Sequence, residues 1–134
     1  MKLDSKYNSN LFYNEENKYL CLGFNHNPDS ELLKSISLEL LTYLEIKQVN
    51  KLLVNTANVT NVKLNDIMWI TEKISPNIKQ YHIDKIAFIN PRNSIGKISL
   101  KIMIKLSSCI NTKAFDDPEN AELWLFSNLH TISA

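Results

Sequence analysis

Glycine is almost absent from this chain: two residues in 134, Gly23 and Gly96. Without a glycine cluster there is no phosphate-cradling loop and no dinucleotide fingerprint, so backbone-held nucleotide phosphates are not expected. Only two cysteines occur, Cys21 and Cys109, far apart and within apolar segments. A disulfide framework needs a denser pattern, and reduced, buried thiols are the simpler expectation. No apolar run is long enough to span a bilayer. The opening "MKLDSKYNSN" lacks the apolar core of a signal peptide, which makes the cytoplasm the expected compartment. Charge of one sign is also missing. Fifteen basic residues against fourteen acidic leave a net charge of +1, so electrostatics supply no case for a nucleic-acid partner.

What is present is an ordinary soluble composition, 44% hydrophobic and 22% charged, on a length that suits one domain over residues 1–134. "KYNSNLFYNEENKYLCLGF" reads as two strands about the turn Asn14–Asn17. The second has apolar residues on both faces, as an internal strand would. A long helix follows, with Pro28 and Asp29 in its first turn and Leu33, Ile36, Leu40 and Leu44 at helical spacing. "KLLV" (51–54) is a compact buried strand. A second helix starts near Asn65 and carries Ile67, Ile70, Ile74 and Ile78, with Pro76 placed to kink its last turn. "KIAFIN" (85–90) is the next strand, after which Asn93 or Ser94 can cap a helix.

Residues 97–107, "KISLKIMIKLS", fit two periods. Ile98, Leu100, Ile102, Ile104 and Leu106 alternate as in a strand, while Ile95, Ile98, Ile102 and Leu106 form a helical stripe. A parallel crossover between strands at 85–90 and 110–115 favours the helix. The last strand, "INTKAF", leads to a helix with Asp117 as N-cap, Pro118 at its first position, and Ala121, Leu125 and Trp124 as candidates for its inner face. The expected fold class is α/β: a mixed, mostly parallel sheet of about five strands with about four helices.

Three segments, "KLLVNTANVTNVKLNDIMWI", "KIAFINPRNSIGKIS" and "AFDDPENAELWL", resemble in order and spacing the anti-sigma-factor-antagonist (STAS) domains, and more closely their SpoIIAA-like branch. The last segment is the most specific, matching an F-D-D/N-x-x-x-A-x-x-W-L ending. The resemblance runs from about Leu11 to Phe126. It implies a non-enzymatic regulatory or protein-interaction module. In phospho-switching relatives an Asp-Ser-Ser/Thr-Gly motif opens the second helix. Here those positions fall on Lys63-Leu64-Asn65-Asp66, so the phosphorylatable serine is replaced by Leu64 and that switch is not expected to operate. Thr60 nearby is a modification candidate or, more simply, a turn residue. A related likeness, to Sec14-type proteins, implies a carrier of a lipid or a small apolar ligand.

No residue pattern points to a reaction. His26, His82 and His130 are about fifty residues apart, unlike a zinc site, and no cofactor is implied. No serine or cysteine sits in a nucleophile elbow. Asp116 and Asp117 are adjacent acids, more cheaply explained by capping than by proton transfer. Arg92, Asn93 and Ser94, leaving a strand and opening a helix, are candidates for anion or small-ligand contact, or for an enzyme corner as the least favoured alternative. On the helix wheels Trp69 turns away from the isoleucine stripe, with Lys73 one turn on as a cation–π partner. Leu100 and Ile104 turn away from theirs, beside Lys97, Lys101 and Lys105. These outward residues, Trp69, Lys73, Leu100 and Ile104, are the candidate contact surface, for a homodimer, another protein or lipid, unless a neighbouring helix covers them. Stable membrane insertion is not expected.

Overall fold

In the computed structural model the described residues are 2–3, 9–107 and 111–127, with side chains described over 11–107 and 111–127. They form six strands: β1 (Lys2–Leu3), β2 (Ser9–Asn14), β3 (Tyr19–Phe24), β4 (Lys51–Asn55), β5 (Lys85–Ile89) and β6 (Thr112–Phe115). The sheet runs in chain order, β1 to β6. β1, β2 and β3 pair antiparallel, and β3 through β6 pair parallel. Apart from the two-residue β1, this is the expected mixed, mostly parallel five-strand sheet.

Helix α1 (Ser30–Ile46) joins β3 to β4, and α4 (Ser94–Leu106) joins β5 to β6. Between them, β4 and β5 are joined by one helical segment in three parts: α2 (Leu64–Trp69), a π turn (Ile70–Ile74) and α3 (Ser75–Lys79). Helix α5 (Pro118–Leu125) follows β6, so four helical segments accompany the sheet. None of the described helices is long and apolar enough to cross a membrane.

Chain-order pairing has a geometric consequence. Parallel crossovers of one hand that always step the same way put their helices on one sheet face. The core obeys this. Leu20, Leu22 and Phe24 of β3, Leu52 and Val54 of β4, and Ile86 and Phe88 of β5 pack with α1, the π segment and α4 in the larger cluster. The alternate residues Leu53, Ala87 and Ile89 face the other way and, among the described helices, meet α5 through Ala121 and Leu125.

Local chemistry explains most boundaries. Asp29 is the N-cap of α1, its carboxylate accepting the Leu32 N–H at 2.8 Å, so Pro28 lies outside the helix rather than in its first turn. Asn93 caps α4 by accepting the Gly96 N–H at 3.0 Å. Asp117 caps α5, with Pro118 at the first position. Pro76 falls where the helix has already widened. A proline donates no N–H and its ring collides with the carbonyl four residues back. The π turn relieves both before Pro76, and Ser75 N–H bonds back to Ile70 O. Ile67, Ile74 and Ile78 remain buried through the bulge. With neither glycine at positive φ, the left-handed turn positions fall to Lys18 (φ 52°) and His82 (φ 55°).

Candidate functional site

The loop "NTANVTN" leaves β4 at the C-terminal edge of the parallel strands, where open α/β sheets gather ligands. Most of its polar side chains are spent on holding the loop in place. Asn55 Oδ1 accepts the Ala57 N–H at 3.0 Å, and Asn27 Oδ1 accepts those of Thr60 and Asn61 at 2.9 and 3.2 Å. Asn58 Nδ2 donates to Phe24 O at 3.2 Å, and Thr56 Oγ1 donates to Ile89 O. These bonds tie the loop to the ends of β3 and β5. Leu64 opens α2 with an exposed side chain and no side-chain cap before it.

The anion candidates lie in this corner. Arg92 is exposed and donates from Nη1 to Asn58 Oδ1 at 3.1 Å, while Asn93 donates from Nδ2 to Thr60 O at 3.1 Å besides capping α4. Ser94 is exposed in the first turn. Arg92 and Asn93 thus serve to hold two loops together. Asp116 and Asp117 part company: Asp116 accepts from Asn90 at 3.0 Å and Asp117 caps α5. His26 follows β3 at one sheet edge and His82 precedes β5 at the opposite edge, while His130 and Cys109 lie outside the described residues.

The contact surface needs correction on α4. Leu100 is 6% exposed and belongs to the core, and Ile104 is half-buried beside Ile70, Ser75 and Ile78. The expected inward stripe is the exposed one: Ile95 61%, Ile98 58%, Ile102 39%, Leu106 47%. The cause is Gly96. A Cβ built there would lie 2.6 Å from Pro91 Cβ, 2.8 Å from Val59 O and 2.5 Å from Asn93 Oδ1. Only a bare Cα can approach the β4–α2 loop that closely, so Gly96 faces inward. Leu100, one turn on, and Ser99 and Met103 follow it by helical geometry. Lys97, Lys101 and Lys105 are exposed as expected.

Trp69 is half-buried against the main core, and its cation partner is Lys34 of α1, with Nζ 5.5 Å from the ring centroid, rather than the exposed Lys73. Cover by a neighbouring helix, one of the sequence alternatives, therefore describes Trp69.

Three features escaped sequence reasoning. Asp66 is buried and accepts the Ser30 hydroxyl at 2.7 Å, joining the first turns of α2 and α1. Lys85, 2% exposed, donates to Trp124 O at 2.7 Å and Ser127 O at 3.1 Å, closing the C-terminal end of α5. Burial, then Lys51, lower its pKa, with Asp84 opposing. A charged residue opening "KIAFI" was the available signal. The third is a cavity of about 130 Å³ between the sheet and the layer of α1, the π segment and α4, with a neighbour of about 80 Å³ across Ile70 and Met103.

On the α5 side of the sheet, burial and then Glu122 push the Cys21 thiol up to about 11 from an ordinary 9.0. Near pH 8 its thiolate population falls about a hundredfold below that of an unshifted thiol. Iodoacetamide labelling of Cys21, followed by peptide mass mapping, is expected to be slower by at least that factor than in urea; equal rates would contradict the burial. Linkage has a definite sign. Between pH 9 and about 11 the native thiol holds its proton when the unfolded one does not, so stability falls as pH rises there and the contribution is whole below pH 9.

The sheet and its helices define a small α/β domain. No protein-family model matches the chain, and no curated protein matches it.

Proposed function

We propose that this domain is a non-enzymatic interaction module that works by self-association, on a STAS-like scaffold without the phosphorylatable serine. The observation that carries the reading is the exposed stripe Ile95–Ile98–Ile102–Leu106. Four large aliphatic side chains along one side of a helix are costly to leave in water and mark a contact surface. Their position favours a second copy. Ile104 and Ser107 of α4 border the π segment and α3, and Ser99, Leu100 and Met103 face the sheet side. The stripe occupies the remaining, solvent-facing side of α4. Among the described residues β6 pairs with β5 alone, which leaves an open strand edge as a second feature that a partner copy can cover. A two-fold contact would cover the stripe on both copies at once.

The STAS-like likeness is supported by the parallel strands in chain order, by the α5 cap at Asp117 and by Ala121 and Leu125 beneath that helix. Leu64 at the serine position supports a constitutive rather than phosphorylation-gated contact. Transport of a long-chain lipid is less well supported, since a cavity of about 130 Å³ falls short of the roughly 300–1,000 Å³ that encloses drug-sized ligands.

Native mass spectrometry and light scattering at tens of micromolar test the proposal. The wild type is expected as a dimer, and Ile98→Lys/Ile102→Lys as a monomer whose unfolding midpoint is nearly unchanged, because surface substitutions usually alter stability by less than about 0.5 kcal/mol. A monomeric wild type, or a double variant of undiminished mass, would rule out this surface.

A further inference from the structure

The cavity of about 130 Å³ is walled by Leu33 of α1, Val54 and Phe88 of the sheet, Ile70 and Ile74 of the π turn and Met103 of α4. Three hydroxyl residues also line it: Ser37, Thr56 and Ser99. Two of them are satisfied, Ser37 by Leu33 O at 2.8 Å and Thr56 by Ile89 O. The third, Ser99, is 8% exposed and borders the same space from α4. A hydroxyl that borders an apolar space is a ready partner for one polar group of a molecule held there.

We propose that this cavity is a binding site for a small neutral molecule, one ring in size, that carries a single hydroxyl or carbonyl for Ser99. Volume sets the size: an apolar cavity of about 150 Å³ accommodates benzene. The walls set the polarity, since no charged side chain lines the space and an ion would lose its hydration uncompensated. Ser99 sets the one polar contact. Pro28, Val59 and Pro91, from the loops that follow β3, β4 and β5, close the end nearest the C-terminal strand edge, which is the side from which a ligand would enter. The π turn widens the helix over the same space, a feature often found where a helix borders a functional cavity. This site is on the inner side of α4 and does not depend on self-association through its outer stripe.

The test uses the intact chain, methyl-labelled for NMR and titrated separately with phenol and with benzene. Saturable shifts are expected at the Ile70, Ile74 and Met103 methyls, with phenol bound roughly three- to tenfold more tightly than benzene. Ser99→Ala removes only the hydroxyl and favours the helix, so its unfolding midpoint is expected to hold or rise while the preference for phenol disappears. Three results would overturn the proposal: no methyl responds to either probe, the shifts map to Ile98 and Ile102 on the outer stripe, or Ser99→Ala keeps the full preference.

Discussion

Leu100→Ala is expected to destabilise the domain by about 3–5 kcal/mol, the upper part of the range for large-to-small core substitutions. Leu100 is 6% exposed and already borders the cavity between α4 and the sheet. Deleting its branched end joins new empty volume to old, and packed strands on one side with the π segment on the other allow little collapse. Against a total of roughly 5–15 kcal/mol, that loss brings the domain near unfolding. Urea titration followed by fluorescence of Trp69 and Trp124 measures it. Ile98→Ala, two residues away on the same helix, is the control and should change the midpoint little, its side chain being 58% exposed. Equal costs at the two positions would mean that α4 presents its faces in another phase. The same reasoning makes Leu100→Lys/Ile104→Lys a poor probe of assembly, because a lysine at position 100 would be buried without a partner.

Gly96→Ala is the second large effect, and its sign opposes helix propensity. Alanine inside a helix is ordinarily favoured over glycine by about 1 kcal/mol. Here the added methyl meets Pro91 Cβ at 2.6 Å and Val59 O at 2.8 Å, one a rigid ring and the other backbone. Asn93 Oδ1, at 2.5 Å, cannot retreat without giving up the cap of α4. Overpacking of this kind costs about 1–3 kcal/mol, and the accompanying damage to the cap adds to it. The variant is expected to unfold at lower urea than the wild type, with amide exchange in the first turn of α4 accelerated. A midpoint equal to or above the wild type would show that the loop yields easily and that Gly96 does not fix the rotation of α4.

Much of the architecture was legible because it rests on short-range chemistry. Period-two apolar runs defined β3, and Pro91 closed the strand before it. Asp117 with Pro118 announced α5, and the isoleucines of residues 67–78 kept one face through the π turn. The helix at 94–106 needed topology as well as pattern, since its residues suit a strand equally. Its rotation was misread for a physical reason. A hydrophobic stripe is read from the longest row of large aliphatics, and that row, Ile95, Ile98, Ile102 and Leu106, lies on the outside, while the inner face carries Gly96, Ser99, Leu100 and Met103.

The amino-acid sequence by itself determined the element order, the cap at Asp117, the narrowing of the α4 cap to Asn93 or Ser94, and the absence of a hydroxyl at position 64, because each depends on residues within a turn or two of chain. Tertiary structure alone decided which face of α4 is buried, that Lys34 rather than Lys73 meets Trp69, that Lys85 closes α5, and that Ser99 borders a cavity. Each of these depends on contacts between segments distant in sequence, above all the approach of Gly96 to Val59. No local pattern encodes such distances.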